Sequence, residues 1–142
     1  MNIITLTALR THLQADATLS AWWVANYPGG RAVNHFIGYK KPVNANDYPA
    51  LCYVPVRSQI GEQPFDRLTV SIVLSINEKG MTNDVLDGVQ KSDEAATLIV
   101  AALRAPTSPF NIDRDIITVT TDLGLTHPFY DTELQFTLLS LR

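Results

Sequence analysis

The segment from Arg67 to Asn77 most constrains what this chain can become. Leu68, Val70, Ile72, Leu74 and Ile76 alternate there with Thr69, Ser71, Val73, Ser75 and Asn77. Strict period-two alternation of that length fits a β-strand with one face in a core, and a helix would scatter the same residues around its circumference. The second face is semi-polar rather than charged, which suits a surface that is half covered or meets a partner. A strand like this is not stable alone. The rest of the chain must supply neighbouring strands and a cover for the apolar face.

Other segments read as those neighbours. Val33, His35, Ile37 and Tyr39 alternate with polar or small residues between Ala32 and Lys41, ahead of a loop from Pro42 to Asp47. Ala50 to Arg57 is a short apolar run that contains Pro55, which cannot donate to a ladder. It therefore lies on an edge or carries a bulge. Ser58 to Pro64 reads as a flexible hairpin-like loop, and Glu78 to Gly88 as a polar connection. Two further strands are expected at Asp115 to Thr121 and Glu133 to Leu141.

Helices provide the cover. From Thr5 to about Tyr27, Leu6, Leu9, Leu13, Ala17 and Ala21 fall near helical spacing, with Thr5 or Thr7 as a start and Asp16 as a second cap. The segment is one bent helix or two short ones, ended by Pro28-Gly29-Gly30. A second helix is expected from Val89 to Ala105, capped by Ser92, with Asp93 and Glu94 in its first turn and Arg104 in its last. Its stripe is Ala95, Leu98, Ile99, Ala102 and Leu103. The order is α-β-β-β-α-β-β. Grouped strands imply an α+β fold, an antiparallel or mixed β-sheet with the N-terminal helix and the second helix packed on it. At 142 residues the whole chain, 1–142, is the size of a single domain.

Composition excludes several functions. A formal net charge of -3 argues against a general nucleic-acid binder, which carries a basic face. One cysteine, Cys52, cannot close an intrachain disulfide, so a reducing cytoplasm is expected. The longest apolar stretches, Ala21 to Ala25 and Leu98 to Leu103, are far shorter than a membrane span, and MNIITLTALR lacks the basic start of a signal peptide.

No catalytic constellation stands out. Cys52, His35 and Asp47 can be imagined as a thiol triad, but Cys52 lies in an apolar run where a free cysteine behaves as a small buried hydrophobe. His12, His35 and His127 lie in separate segments without metal-ligand spacing; His12 is expected on a solvated helix face and His127 in a loop. Gly29-Gly30 follows a helix rather than opening one, so it is no phosphate loop. The acid pairs Asp113/Asp115 and Asp131/Glu133 read as solvated strand ends. No cofactor, metal site or catalytic residue is expected.

Two surface features point elsewhere. Trp22-Trp23 places two large rings about 100° apart on a helix, so both are buried only under a broad cover. The loop from Asp122 to Asp131 carries Leu123, Leu125, Phe129 and Tyr130, either as a lid folded over the core or as a partner contact.

Taken in order, the blocks YPALCYVPV, DRLTVSIVLSINEKG, TLIVAALRAP and GLTHPFYDTELQFTLLSL, after an N-terminal helix, resemble the tail terminator (tail completion) proteins of long-tailed bacteriophages and prophages. The most telling block leads into the last strand through Asp122, Gly124, Leu125, His127, Pro128, Phe129, Tyr130, Glu133, Leu134 and Phe136. The resemblance implies a non-enzymatic structural protein that forms a ring, a hexamer in that family, on the completed tail tube. The ring would end tube polymerisation and offer the surface to which the head attaches. Its partners would be itself, the tail tube protein and the head connector protein, with DNA passing through the lumen unread and no membrane involved. Assembly would take place in the host cytoplasm, and the product would sit in the virion tail. A head–tail joining (neck) protein is the near alternative, and a small cysteine-dependent enzyme or ligand-binding domain the distant one. A cyclic ring needs two different sticky faces on each subunit. Leu125, Phe129 and Tyr130 on the loop, with Thr69, Ser71 and Val73 on the semi-polar strand face, are the candidates.

Overall fold

The computed structural model describes residues 2–27, 33–40, 47–61, 64–122 and 124–141. The loop expected from Pro42 to Asp47 lies almost wholly outside them, as do Gly29-Gly30 and Leu123.

The N-terminal segment resolves into two helices, α1 (Asn2–Ala15) and α2 (Ala17–Asn26). The break is Asp16, held extended, whose carboxylate accepts the Leu19 N–H at 2.8 Å. α1 begins at Asn2, ahead of both expected threonine caps. Its buried residues Leu6, Leu9 and Leu13 recur at helical spacing and form the seam against the sheet. Leu19 and Trp23 continue it on α2. Trp22 is only partly covered; its indole donates to Glu94 at 3.1 Å and its ring meets Trp23 edge-on. That resolves the double tryptophan: one ring sits in the core and the other has a polar handle at the rim.

The strands are β1 (Asn34–Ile37), β2 (Ala50–Gln59), β3 (Phe65–Asn77), β4 (Met81–Thr82), β5 (Val85–Leu86), β6 (Ile112–Thr120) and β7 (Phe129–Leu141), with α3 (Asp87–Arg104) after β5. Five of them form one sheet in the order β1-β2-β3-β7-β6. β1 runs parallel to β2 and every other neighbour is antiparallel, so the sheet is mixed. The expected α+β architecture is the one observed, with a small β4–β5 hairpin added.

β3 and β7 form the spine, in register from Phe65↔Leu141 to Asn77↔Phe129. Leu68, Val70, Ile72, Leu74 and Ile76 all face the helices and are buried. β7 answers with Tyr130, Leu134, Phe136 and Leu138, and β2 with Leu51 and Tyr53. α3 lies across them on Ala95, Ala96, Ile99, Ala102 and Leu103. Its alanines let the helix approach the sheet closely, and each large aliphatic side chain buried there contributes about 1.5–3 kcal/mol.

Local expectations shift at two places, and a third is met. α3 starts at Asp87, because Asn83 and Asp84 take left-handed backbone and turn a tight hairpin directly into the helix. Ser92 is therefore not a cap; it is buried on the sheet-facing side, and Asp87 is the acid of the first turn. His12 is not solvated: its Nε2–H donates to the Ala102 carbonyl at 2.8 Å and its ring meets Phe110 edge-on, tying α1 to α3. Pro55 sits beside a register shift between Pro55 and Arg57, beyond the last residue that β1 reaches, so it is both bulged and on an open edge.

Candidate assembly surfaces

The helices cover one face of the sheet. On the other face the cross-strand pairs are Thr69↔Thr137, Ser71↔Gln135, Val73↔Glu133 and Ser75↔Asp131, flanked by Cys52 and Val54. Among the described residues the helices' core side chains cluster with the Leu68–Ile76 side and not with this one, where Cys52, Ser71 and Ser75 are buried and Val54, Thr69 and Val73 are half-buried. Thr69 and Thr137 share a hydrogen bond at 3.0 Å, and Ser75 donates to Asp131 at 2.7 Å. The Ser71 hydroxyl is buried and has no hydrogen-bond partner among the described residues. An open groove of about 760 Å³ runs across the face between Tyr39, Val54 and Val73 on one side and Leu125, Asp131 and Glu133 on the other.

The loop that delivers Leu125 is built rather than loose. The Asp122 carboxylate accepts the Gly124 N–H through one oxygen and the Asp131 N–H through the other, each at 2.8 Å, so it ties the two ends together. Gly124 has φ +83, and a Cβ there would lie 2.9 Å from Leu86 Cδ1 and 3.2 Å from Tyr130 Cε1, so both conformation and space demand glycine. Thr126 donates to the Phe129 carbonyl at 3.0 Å, and the Pro128 carbonyl accepts from the Glu78 N–H at 2.8 Å. On this tied turn Leu125 is 89% exposed.

Phe129 and Tyr130 are not loop residues. They open β7, and strand alternation sends them to opposite faces. Phe129 is 44% exposed and packs against the Tyr48 ring on the helix-free side. Tyr130 is fully buried under Gly88 of α3, with its hydroxyl on His127 Nδ1. Of the surface candidates read from sequence, Ser71, Val73 and Leu125 line the one groove. Thr69 lies alongside on the same sheet face and Phe129 at its end, whereas Tyr130 belongs to the core.

The imagined thiol triad is not assembled. Cys52 and Tyr53 are consecutive in β2 and point to opposite faces. His35 bonds the Tyr53 hydroxyl at 2.9 Å on the helix side, while the Cys52 thiol meets Lys40 backbone on the other. Burial pushes the Cys52 thiol up, opposite to what a nucleophile needs. Burial, with Arg10 nearby, lowers His35 to about 4. Among the described residues no group of three or more His, Cys, Asp or Glu is placed to hold a metal, and no helix is long and apolar enough to cross a membrane.

No family model matches the chain, and no curated protein matches its sequence significantly. Fold comparison does find a neighbour. A chain in the solved structure "Virion of native gene transfer agent (GTA) particle" aligns with a TM-score of 0.57 at 14% identity, covering 96% of this chain and 94% of that chain. The two chains share a fold from end to end. Sequence reasoning found one free edge, through Pro55 in β2, and missed the other along β6, since an edge strand is defined by what fails to pair with it and here leaves no pattern of its own.

Proposed function

We propose that this protein is a structural component of a virion tail, a tail terminator that closes into a ring on the end of the tail tube, stops its polymerisation and presents the surface for head attachment. The single observation that carries the reading is Leu125. A lone exposed leucine is ordinary, but Leu125 borders a groove that Tyr39, Val54, Val56 and Val73 also line, and a contiguous apolar patch of that kind marks a partner surface. The groove crosses the sheet face opposite the helices, so Leu125 and the semi-polar strand residues form one contact surface, which a heterologous ring would set against a different surface of the next copy. The shared fold with a chain of a virion particle supports a structural role in such a particle. The net charge of -3 suits a lumen through which DNA passes without being gripped.

Light scattering at several concentrations, with negative-stain images of the largest species, tests this reading. Rings of about six subunits with an open centre are expected, the stoichiometry coming from the family resemblance. Leu125→Asp is expected to leave the subunit folded and abolish the ring. Purified rings added to growing tail tubes should halt elongation. Rings that bind the head connector while leaving tube growth untouched would transfer the assignment to a neck protein. Wild-type protein that neither forms rings nor binds tubes would overturn both.

A further inference from the structure

The two lateral edges of the sheet are both open, and they are unlike. β1 reaches β2 only as far as Tyr53, so among the described residues no strand pairs with the outer side of β2 from Val54 to Gln59. β6 has β7 on one side and, among the described residues, no strand on the other. β2 is exposed from Pro55 to Gln59, and β6 over most of its length. Open edges of this kind are templates for another chain unless something blunts them.

The irregularities on the two edges stand at the same height. Following the rungs across the sheet, Val54 is level with Ser71, Gln135 and Thr118, and Pro55 with Val70, Phe136 and Ile117. Arg57, one step on, is level with Thr69 and Thr137, where the register of β6 breaks between Ile112 and Ile117. Val56 in the first irregularity and Ile116 in the second are therefore level, and each is about half exposed, at 51% and 54%. Arg57 is the one charged residue of the free β2 stretch. The bulge on β6 carries Asp113, Arg114 and Asp115; within the subunit Asp115 is paired with Arg104 at 2.9 Å, and Asp113 lies 3.8 Å from Arg114 and 4.0 Å from Arg67. Strand direction also agrees. β2, β3, β7 and β6 are successively antiparallel, so β2 and β6 run in opposite senses. A copy added head to tail continues that alternation without a break.

We infer that the β2 edge of one subunit, Val54–Gln59, pairs antiparallel with the β6 edge, Asp113–Thr118, of the next copy of this chain, with Val56 opposite Ile116. The inference rests on the ring reading and deepens it by naming the contact. Pro55 and the two bulges blunt both edges against a flat strand, and a second copy offers an edge bent at the matching level. Like β2 edges would set Arg57 against Arg57, which disfavours a two-fold contact through that edge.

Disulfide trapping tests it in the Cys52→Ala protein. Val56→Cys is combined with Ile116→Cys, and in a second protein with Thr118→Cys to allow for a shift in register. All are exposed positions, and folding is checked by circular dichroism. Under mild oxidation at concentrations where rings are seen, at least one double variant should give a ladder of covalent oligomers reaching the ring size, while each single variant should give none. Rings without a ladder from either pair would overturn the edge contact and leave the ring reading standing. A covalent dimer from Ile116→Cys alone would show like edges meeting, and would also overturn it. Protein that stays monomeric at every concentration and yields no ladder would overturn both.

Discussion

Replacing Gly88 by alanine measures how closely α3 is seated on β7. A Cβ at Gly88 would fall on the Tyr130 ring, inside contact distance of Cδ2 and Cε2 and 2.5 Å from Cζ. The ring is fully buried and has no solvent to retreat into. Overpacking of this kind costs about 1–3 kcal/mol. Alanine in a helix returns at most about 1 kcal/mol relative to glycine. The net expectation is a loss of about 1–2 kcal/mol, read as a fall in Tm of about 3–6 °C for a domain of this size. Removing the ring should reverse the sign. In a Tyr130→Val background, itself destabilised, Gly88→Ala is expected to be neutral or to stabilise by up to about 1 kcal/mol, a coupling of about 1–3 kcal/mol. Urea titrations followed by circular dichroism give the four corners of the cycle. An equal cost in both backgrounds, or a gain in the wild type, would refute the packing argument.

Three further outcomes follow from the same structure. Asp16→Ala removes the cap between α1 and α2 and should cost about 1 kcal/mol in urea, with Asp16→Asn retaining most of it. His35 is held near 4 in the folded chain against about 6.5 unfolded, so the unfolded chain takes the proton first; stability should be full above about pH 6.5 and fall as pH drops toward 4. His35→Phe should flatten that slope relative to wild type between pH 6.5 and 4, and an unchanged slope would remove His35 from the account. Leu125→Asp should change the unfolding free energy from urea titration by less than about 0.5 kcal/mol while dispersing the oligomer, since an exposed side chain contributes little to the fold of one subunit.

The sequence carried the central sheet well and its surroundings less well. β3 was readable because five aliphatic residues at period two admit few other arrangements. Asp16 was readable as a break because an acid at a helix start has a donor to accept from. Phe129 and Tyr130 looked like loop residues because Pro128 precedes them, yet β3 extends to Asn77 and pulls them into the ladder. The parallel direction of β1 was not readable, because alternation says nothing about which way a strand runs. Nor were Arg114 and Asp115 in left-handed backbone, a conformation that glycine or asparagine normally signals. His12 looked solvated because its partner, the Ala102 carbonyl, lies on a helix far along the chain. Of the surface residues, the semi-polar face of β3 was legible from alternation. The division of Phe129 from Tyr130 needed the register.

The pairing of β3 with β7 also fixes how this chain can fold. The nearest partners on those strands, Asn77 and Phe129, are separated by the β4–β5 hairpin, all of α3 and all of β6. Closing so long a loop costs entropy before any rung of the spine rewards it. Sheets built on such distant pairs form slowly compared with helical bundles. Until β7 arrives, β3 has only β2 beside it, and its other side stays open. A nascent or partly unfolded subunit therefore exposes the most apolar strand edge in the molecule. That side is closed only by β7, the last strand of the sheet in sequence, which lies between β3 and β6.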